Sequence, residues 1–558
     1  MKKQTGAVIL AELLKAYGIT HIFMVPAVLR RTMVEIEKKT NIKRLHVHSE
    51  KSAAYMADGY ARASGKPAIC MAQVIGALNI AAGLRDAFLA HSPVIAITGG
   101  REPKTKFKKV YQEVDDMPAF EPVTKLNATI DDVSRIPDMI DQAFRVSTSG
   151  SPGPAHLQLR GNEAQIDLEE FEFESNFKIS DTQIPPHRPI CNDTILNKAL
   201  GTIQSAKTPI IVAGGGAKHS KCSQELIEFA EKLNIPVATS LNGKDLIHST
   251  HPLSCGVVGT YSRESANLSV KAADLVIFVG SETSSMTTHF WTVPDEKSRV
   301  IQIDLEPENL GRNYLLEVAI QGDAKAILAR MKELAFALTN PDRTGWLEHI
   351  SKLRRDWYDK YKPLMESDSN PIRPERLCKE LSDNVPDNAV IVVDTGHAGM
   401  WMGGMFDLQH PKQNYIRSAG HLGWAFPASL GAKCALPDRA VICFTGDAGF
   451  WYHIAEIEVA VRWNIGVVVI VNNNSGGNQS KRGFDRAYGG EQTPEGRQMW
   501  TFNNVNFAEI AQNIGAVGLR VERAENIQTT IKKALQLNKP VIIDVVTDID
   551  ALAPLAVN

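Results

Sequence analysis

Short apolar runs rich in β-branched residues recur along the chain, separated by stretches whose apolar positions return every third or fourth residue. In the first third, PAICMAQV and SPVIAITGG flank the helical pattern ALNIAAGLRDAFLA. The middle carries TPIIVAGGGA, IPVATS, ADLVIFVG and SRVIQIDLE, and the last third NAVIVVDTG, AVICFTGD, IGVVVIVNN and KPVIIDVVT. Runs that are apolar throughout, rather than alternating, predict strands buried on both faces, and helices between them supply the crossovers that parallel pairing requires. The pattern predicts an α/β protein with a doubly wound parallel sheet in each third.

Two polar, proline-bearing stretches interrupt the alternation. One is SDTQIPPHRPICND at 180–193; the other runs from TNPDRTG at 339–345 through a charged helix to SDSNPIRPE at 367–375. They place domain boundaries near 185 and 365, giving domains at 1–185, 186–365 and 366–558. A chain of 558 residues is in any case too long for one core.

Composition narrows the partners. With 44% apolar and 22% charged residues and a net charge of −2, neither nucleic acid nor a membrane surface is expected as partner. The opening MKKQTGAVILAELLKAYGIT is broken by Glu12 and reads as an amphipathic helix ending at Gly18, not as a signal peptide. The seven cysteines are scattered, with no C-x-x-C pair, which fits reduced thiols in a cytoplasmic enzyme.

The stretch CFTGDAGFWYHIAEIEVAVRWNIGVVVIVNNNSGG carries the clearest chemistry. Asp447 follows a buried strand between Gly446 and Gly449, and YHIAEIEVAVRW reads as a helix with Ile454, Ile457 and Val461 on one face. The next strand delivers Asn472, Asn473 and Asn474 to the same sheet edge, where doubly wound sheets bind ligands. One carboxylate, one amide oxygen and a glycine carbonyl form a sparse oxygen set that suits Mg²⁺, which keeps positions for water and phosphate. Backbone N–H groups of the loop would hold the phosphates.

This stretch resembles the signature of the thiamine diphosphate-dependent enzymes of the acetolactate synthase and pyruvate oxidase group, which opens on Gly-Asp-Gly and closes on Asn-Asn. Here it stands as Gly446-Asp447-Ala448 and Asn472-Asn473-Asn474, with Ala448 in place of the usual glycine. The resemblance implies Asp447, Asn474 and the Gly476 carbonyl as Mg²⁺ ligands, and the triple asparagine leaves Asn473 and Ser475 as the alternative pair. It also implies a pyrimidine-binding, a central Rossmann-like and a pyrophosphate-binding domain in that order.

Other segments fit the same resemblance. LHVHSEKSAAYMADGYARASG supplies Glu50, at the place of the acid that activates the coenzyme. SAGHLGWAFPASLGAK, with Gly420 and Leu422, resembles the stretch beneath the coenzyme, where Leu422 would prop its two rings into a V. DTGHAGMWMGG places Gly396, His397 and Ala398 near the phosphates; family members often carry histidine where Ala398 stands, so His397 would make that contact alone. VYQEVDD resembles the aromatic-Gln-acid element and puts Gln112 near the substrate, with His397 as a second substrate-side candidate.

The substrate side departs from acetolactate synthases at Val74-Ile75-Gly76-Ala77-Leu78-Asn79 and at Pro26-Ala27-Val28-Leu29-Arg30-Arg31. The first expectation is a carboligase or decarboxylase on anionic 2-oxo acids. The alternative is a lyase or hydrolase on a 2-hydroxyacyl-CoA, a sulfoaldehyde or a cyclic dione. A non-catalytic subunit is disfavoured because Glu50 and Asp447 are both present, and a dehydrogenase because the glycines of PIIVAGGGAKHS lack a following ribose-binding acid. Relatives bind FAD or ADP in the central domain; the same missing acid disfavours it here and predicts a colourless protein. The glycine- and arginine-rich 478–500 reads as a lid whose Lys481, Arg482 and Arg486, with Arg30 and Arg31, would grip an anion, and the apolar tail DIDALAPLAVN as cover for the site. The resemblance further implies a homodimer with shared active sites, pairing into a homotetramer.

Overall fold

The computed structural model describes residues 2–173, 179–339 and 341–554. Its framework is three six-stranded sheets, every neighbouring pair of strands in them parallel. The first contains His21–Met24, Lys43–His46, Ala68–Ala72, Val94–Gly99, Leu126–Ile130 and Ala155–Leu159. Counted in chain order, these lie as 2-1-3-4-6-5. The third sheet, of Val390–Val393, Asn414–Arg417, Val441–Gly446, Val468–Asn473, Val517–Val521 and Val541–Val546, has the same order. The central sheet, from Pro209–Ala213 to Val318–Gln321, lies as 3-2-1-4-5-6, the order of a dinucleotide-binding fold. A two-stranded antiparallel pair, Lys2–Thr5 with Glu170–Phe173, ties the N-terminus down.

The strands read as apolar throughout are buried at every position in Ala68–Ala72, Pro209–Ala213, Leu275–Val279 and Val390–Val393. The opening helix spans Gly6–Ala16, and Gly18 follows it at φ +70°. The helix expected over YHIAEIEVAVRW is shorter, Glu456–Arg462, with turns at 452–455 separating it from a preceding short helix, Asp447–Trp451. Among the described residues no helix is long and apolar enough to cross a membrane.

The first and third sheets meet through helix Glu50–Ser64 and helix Ala425–Ala435, at backbone distance. A Cβ on Gly59 would fall 2.0 Å from the Ala428 carbonyl oxygen, and one on Gly431 would fall 1.8 Å from that of Met56. Trp424 Nε1 donates to Asp58 Oδ2 at 2.8 Å across this seam, and the Arg62 guanidinium lies 4.9 Å from the centre of the Trp424 ring. Gly431→Ala is therefore expected to lose about 1–3 kcal/mol or more through overpacking against rigid backbone. A melting temperature equal to that of the wild type would show that the helices can separate without cost.

Lys244 joins the central sheet to the third. Its buried ammonium donates to the carbonyls of Met402 (2.8 Å), Gly403 (3.0 Å) and Phe406 (2.6 Å). Burial, then the nearby Arg263, lowers its pKa from 10.5 to about 7. Between those values the unfolded chain binds more protons than the folded one, so this lysine makes stability rise with pH above about 7. The rise, up to about 1.4 kcal/mol per pH unit, is expected to be missing from Lys244→Met in unfolding measured at pH 7, 8 and 9. Equal pH slopes for the two proteins would refute it.

Candidate active site

At the carboxyl ends of the first, third and fourth strands of the C-terminal sheet, the order reversal opens a cleft of about 550 Å³. Three connections meet there: Thr395–Ala398, Gly446–Gly449 and Asn472–Ser480, with Leu422 on the fourth side. Gly396 stands at φ +67°, ψ −145°, a conformation open to glycine, and starts helix His397–Gly404 with its N-terminus toward the cleft.

Asp447 is the first residue of its helix, is buried, and accepts the Gly476 N–H at 3.0 Å on Oδ2, which ties two of the connections together. Burial pushes its carboxyl up to about 7 against the N–H groups of Ala448 and Gly476 that favour the ionised form. The three asparagines alternate in direction, as successive strand residues must. Asn473 points away, donating to the Val505 carbonyl at 3.0 Å and to Asp544 Oδ1 at 2.9 Å. Asn472 and Asn474 line the cleft, each with a buried Oδ1 that has no hydrogen-bond partner among the described residues. No group of three His, Cys, Asp or Glu side chains able to hold a metal occurs among the described residues. A cation here would rest on one carboxylate, amide oxygen and backbone carbonyl, the donor set of a hard ion that retains other oxygen ligands.

His397 lines the same cleft, and both of its ring nitrogens are buried without a partner. Burial, reinforced by the Arg482 guanidinium, lowers its pKa to about 4. It is therefore a neutral imidazole at pH 7, with one donor and one acceptor nitrogen free for a ligand. Asp394, which the sequence reading passed over, is fully buried between three connections. It accepts the N–H of Thr395 (2.9 Å) and of Gly423 (3.0 Å) and the Thr445 hydroxyl (2.9 Å). Its signal was visible, since it ends a buried strand as Asp447 does.

Gly396, His397, Ala398, Leu422, Gly446, Asp447, Ala448, Gly449, Asn474 and Gly476 thus line one cleft, while Glu50, Gln112 and Gly420 are not on it. Gly420 belongs to the turn just before Leu422. Glu50 opens helix Glu50–Ser64 at the N-terminal sheet, where Asn79 Nδ2 donates to its Oε2 at 3.0 Å. Gly76 leaves room for that carboxylate, because a Cβ there would lie 2.6 Å from Glu50 Oε1. Gln112, at φ +66°, accepts from Gln73 Nε2 at 2.8 Å. Beside this second cluster Ile75 and Leu78 are 55% and 49% exposed.

Residues 478–500 are partly helical rather than a loop throughout, and 478–480 line the cleft. Asn478–Tyr488 is a helix, free of proline and closed by Gly489 at φ +71°, and Pro494–Arg497 is another. Several of the basic side chains are engaged: Lys481 with Asp485, Arg482 with the Ala553 carbonyl, Arg30 with Glu163. Asn478 Nδ2 donates to the Ile549 carbonyl at 2.6 Å and so ties the tail to this helix; 555–558 lie outside the described residues.

The central sheet has its own cleft of about 900 Å³ at its strand-order reversal, lined by Gly214–Gly216, Asn242 and Gly280. An acid lines it whose Oδ1 already accepts the Glu306 N–H at 2.9 Å and Asn309 Nδ2 at 3.3 Å. Asp304 ends strand Arg299–Asp304 at this cleft, far along the chain but one strand removed in the sheet.

Comparison with known proteins is consistent along the whole chain. Residues 4–119 match the family model "Thiamine pyrophosphate enzyme, N-terminal TPP binding domain", 196–331 the central domain and 394–545 the C-terminal TPP binding domain. A probable acetolactate synthase large subunit of Methanococcus aeolicus is 32% identical over 97% of this chain and 92% of its own length. One from Methanocaldococcus jannaschii is 31% identical with the same coverage of both chains. The acetolactate synthase isozyme 1 large subunit of Escherichia coli is 27% identical over 98% of this chain and 94% of its own.

Proposed function

The chain belongs to the thiamine pyrophosphate enzymes of the acetolactate synthase-like family, and from that membership we propose that it uses Mg²⁺ and thiamine diphosphate to join 2-oxo acids. As a member it is a thiamine diphosphate-dependent carbon–carbon carboligase or lyase. The observation that carries the finer reading is the C-terminal cleft, where a buried carboxylate and unpartnered amide and imidazole atoms converge.

Those atoms fit a metal-bound diphosphate. The Asp447 carboxylate, Asn474 Oδ1 and the Gly476 carbonyl would hold Mg²⁺; His397 and the N–H groups at Gly396–Ala398 and Ala448–Gly449 would hold phosphate oxygens. Leu422 would support the rings from below. When bound, the coenzyme supplies a nucleophilic carbon that adds to a carbonyl and stabilises the charge left after bond cleavage. Glu50 would hold and return the proton that activates it, positioned by Asn79. Gln112 is assigned to the substrate side.

Glu50 and the cleft do not share a cavity within one chain, and exposed Ile75 and Leu78 flank Glu50. This supports a two-fold dimer in which each site takes Glu50 from one subunit and Asp447 from its partner; that dimers pair into a tetramer and work in the cytoplasm is taken from the family resemblance alone. A visible flavin band stoichiometric with protein would assign FAD to the central cleft, and we expect a colourless protein. Supplied with thiamine diphosphate, Mg²⁺ and pyruvate, the enzyme is expected to release carbon dioxide and form acetolactate, followed by mass spectrometry. Turnover of a 2-hydroxyacyl-CoA with every 2-oxo acid left untouched would replace the substrate assignment.

A further inference from the structure

Ser418, Ala419, Gly420 and His421 form the turn that delivers Leu422 to the cleft, and nothing in the C-terminal sheet fixes all of its N–H groups. They are held from the other end of the molecule. Asp86, on helix Ala77–Leu89 of the N-terminal sheet, is 1% exposed. Its Oδ1 accepts the Ala419 N–H at 2.8 Å. Its Oδ2 accepts the N–H of Gly420 (3.1 Å) and of His421 (3.0 Å) and lies 3.0 Å from the Ser418 hydroxyl, whose one proton has the His421 carbonyl nearer, at 2.8 Å. Arg62 Nη1, 3.9 Å from Oδ1, offsets the buried charge.

We propose that Asp86 is a positioning residue of the coenzyme site, its carboxylate gathering three consecutive backbone N–H groups and so setting where Leu422 stands. The geometry gives it a single task. Three N–H donors converging on two carboxylate oxygens cannot be satisfied by a neutral side chain of the same shape, because one of its two polar atoms is a donor. Gly420, at φ +157°, lets consecutive N–H groups turn toward one point. On the far side of Leu422, Gly423 is fixed separately by Asp394. The leucine is thus held between two buried acids, one from each of the sheets that meet at the seam. The same helix carries Asn79, which donates to Glu50, so one rigid element would set both the acid and the ring support.

The inference rests on the reading of Leu422 as the coenzyme's support, and its test separates the two. The readout is exchange of the coenzyme's C2 proton for deuterium in the Mg²⁺-loaded enzyme without substrate, followed by NMR. It reports ring geometry at the site rather than substrate turnover. Asp86→Asn should retain thiamine diphosphate affinity to within ~3-fold, since the diphosphate contacts are elsewhere, while C2 exchange and kcat fall at least ~10-fold at unchanged KM, the scale set by small misplacements at a reacting centre. Leu422→Ala should slow exchange alone, and adding Asp86→Asn to it should slow it little further, because both act through one position. Ser418→Ala removes the hydroxyl that the turn shares between Asp86 and the His421 carbonyl and serves if Asp86→Asn does not fold; a ~2–3-fold slowing is expected, with unaltered affinity.

If Leu422→Ala leaves exchange unchanged, the reading of the cleft fails. If it slows exchange while Asp86→Asn and Ser418→Ala do not, the role assigned to Asp86 is wrong. Fully additive effects of Asp86→Asn and Leu422→Ala would overturn it equally.

Discussion

Asp447→Ala is expected to abolish thiamine diphosphate binding, and chelation of the wild-type enzyme to do the same reversibly. The carboxylate is buried at the mouth of its helix with no basic side chain bonded to it among the described residues, and burial pushes its pKa up to about 7 despite the backbone N–H groups it accepts. A divalent cation would complete that environment, and the diphosphate would be held largely through the cation. Removing the one formal negative charge from the proposed donor set should cost about 3–5 kcal/mol, the scale for breaking a buried charge pair, or at least ~100-fold in affinity. Calorimetric titration of thiamine diphosphate with and without Mg²⁺ measures this. Wild-type affinity should return when Mg²⁺ is restored after chelation; the variant should gain nothing from it. Coenzyme that stays bound in metal-free protein would refute the metal assignment of Asp447, Asn474 and Gly476 together.

Glu50→Gln should bind the coenzyme normally and turn over at least ~100-fold more slowly, the usual loss when an acid–base group is removed. Geometry makes the test sharper. Glu50 and Asp447 serve different clusters of one chain, so Glu50→Ala and Asp447→Ala chains, each inactive alone, should complement when co-assembled. A mixed dimer places both damaged residues in one site and both intact ones in the other. Random assembly makes about half the dimers mixed and should restore roughly a quarter of the wild-type sites. Mixed dimers verified by mass spectrometry but without activity would place both residues in one site of one chain.

Much of the molecule was legible before folding was considered. The central strands announce themselves because a strand covered by helices on both faces must be apolar at every position, as Leu275–Val279 and Val390–Val393 are. Asp447 and the asparagine run were equally readable, since a polar group ending a buried strand reaches a sheet edge whatever the rest of the chain does. Edge strands were harder. Lys43–His46, Leu126–Ile130 and Val517–Val521 are short and partly exposed, so their sequences mix charge with apolar residues and resemble loops.

What local sequence determined, then, is the parallel α/β framework and the residues that terminate its inner strands, because propensity and burial pattern act over a few neighbours. Tertiary structure alone decided which of these residues meet. Asn473 rather than Asn474 turns away because Asp544 and Val505 lie on its side of the strand. Asp304 reaches the cleft of the central glycines because the sheet order leaves only Leu275–Val279 between its strand and theirs, although the chain separates them widely. Asp86 finds the turn at Ser418–His421 only when two glycine-lined helices, Glu50–Ser64 and Ala425–Ala435, bring the first and third sheets into contact. Such hydrogen bonds join groups hundreds of residues apart, and no local pattern records them, since the residues themselves, an aspartate in a helix and a serine in a turn, satisfy equally well many arrangements that the folded chain does not adopt.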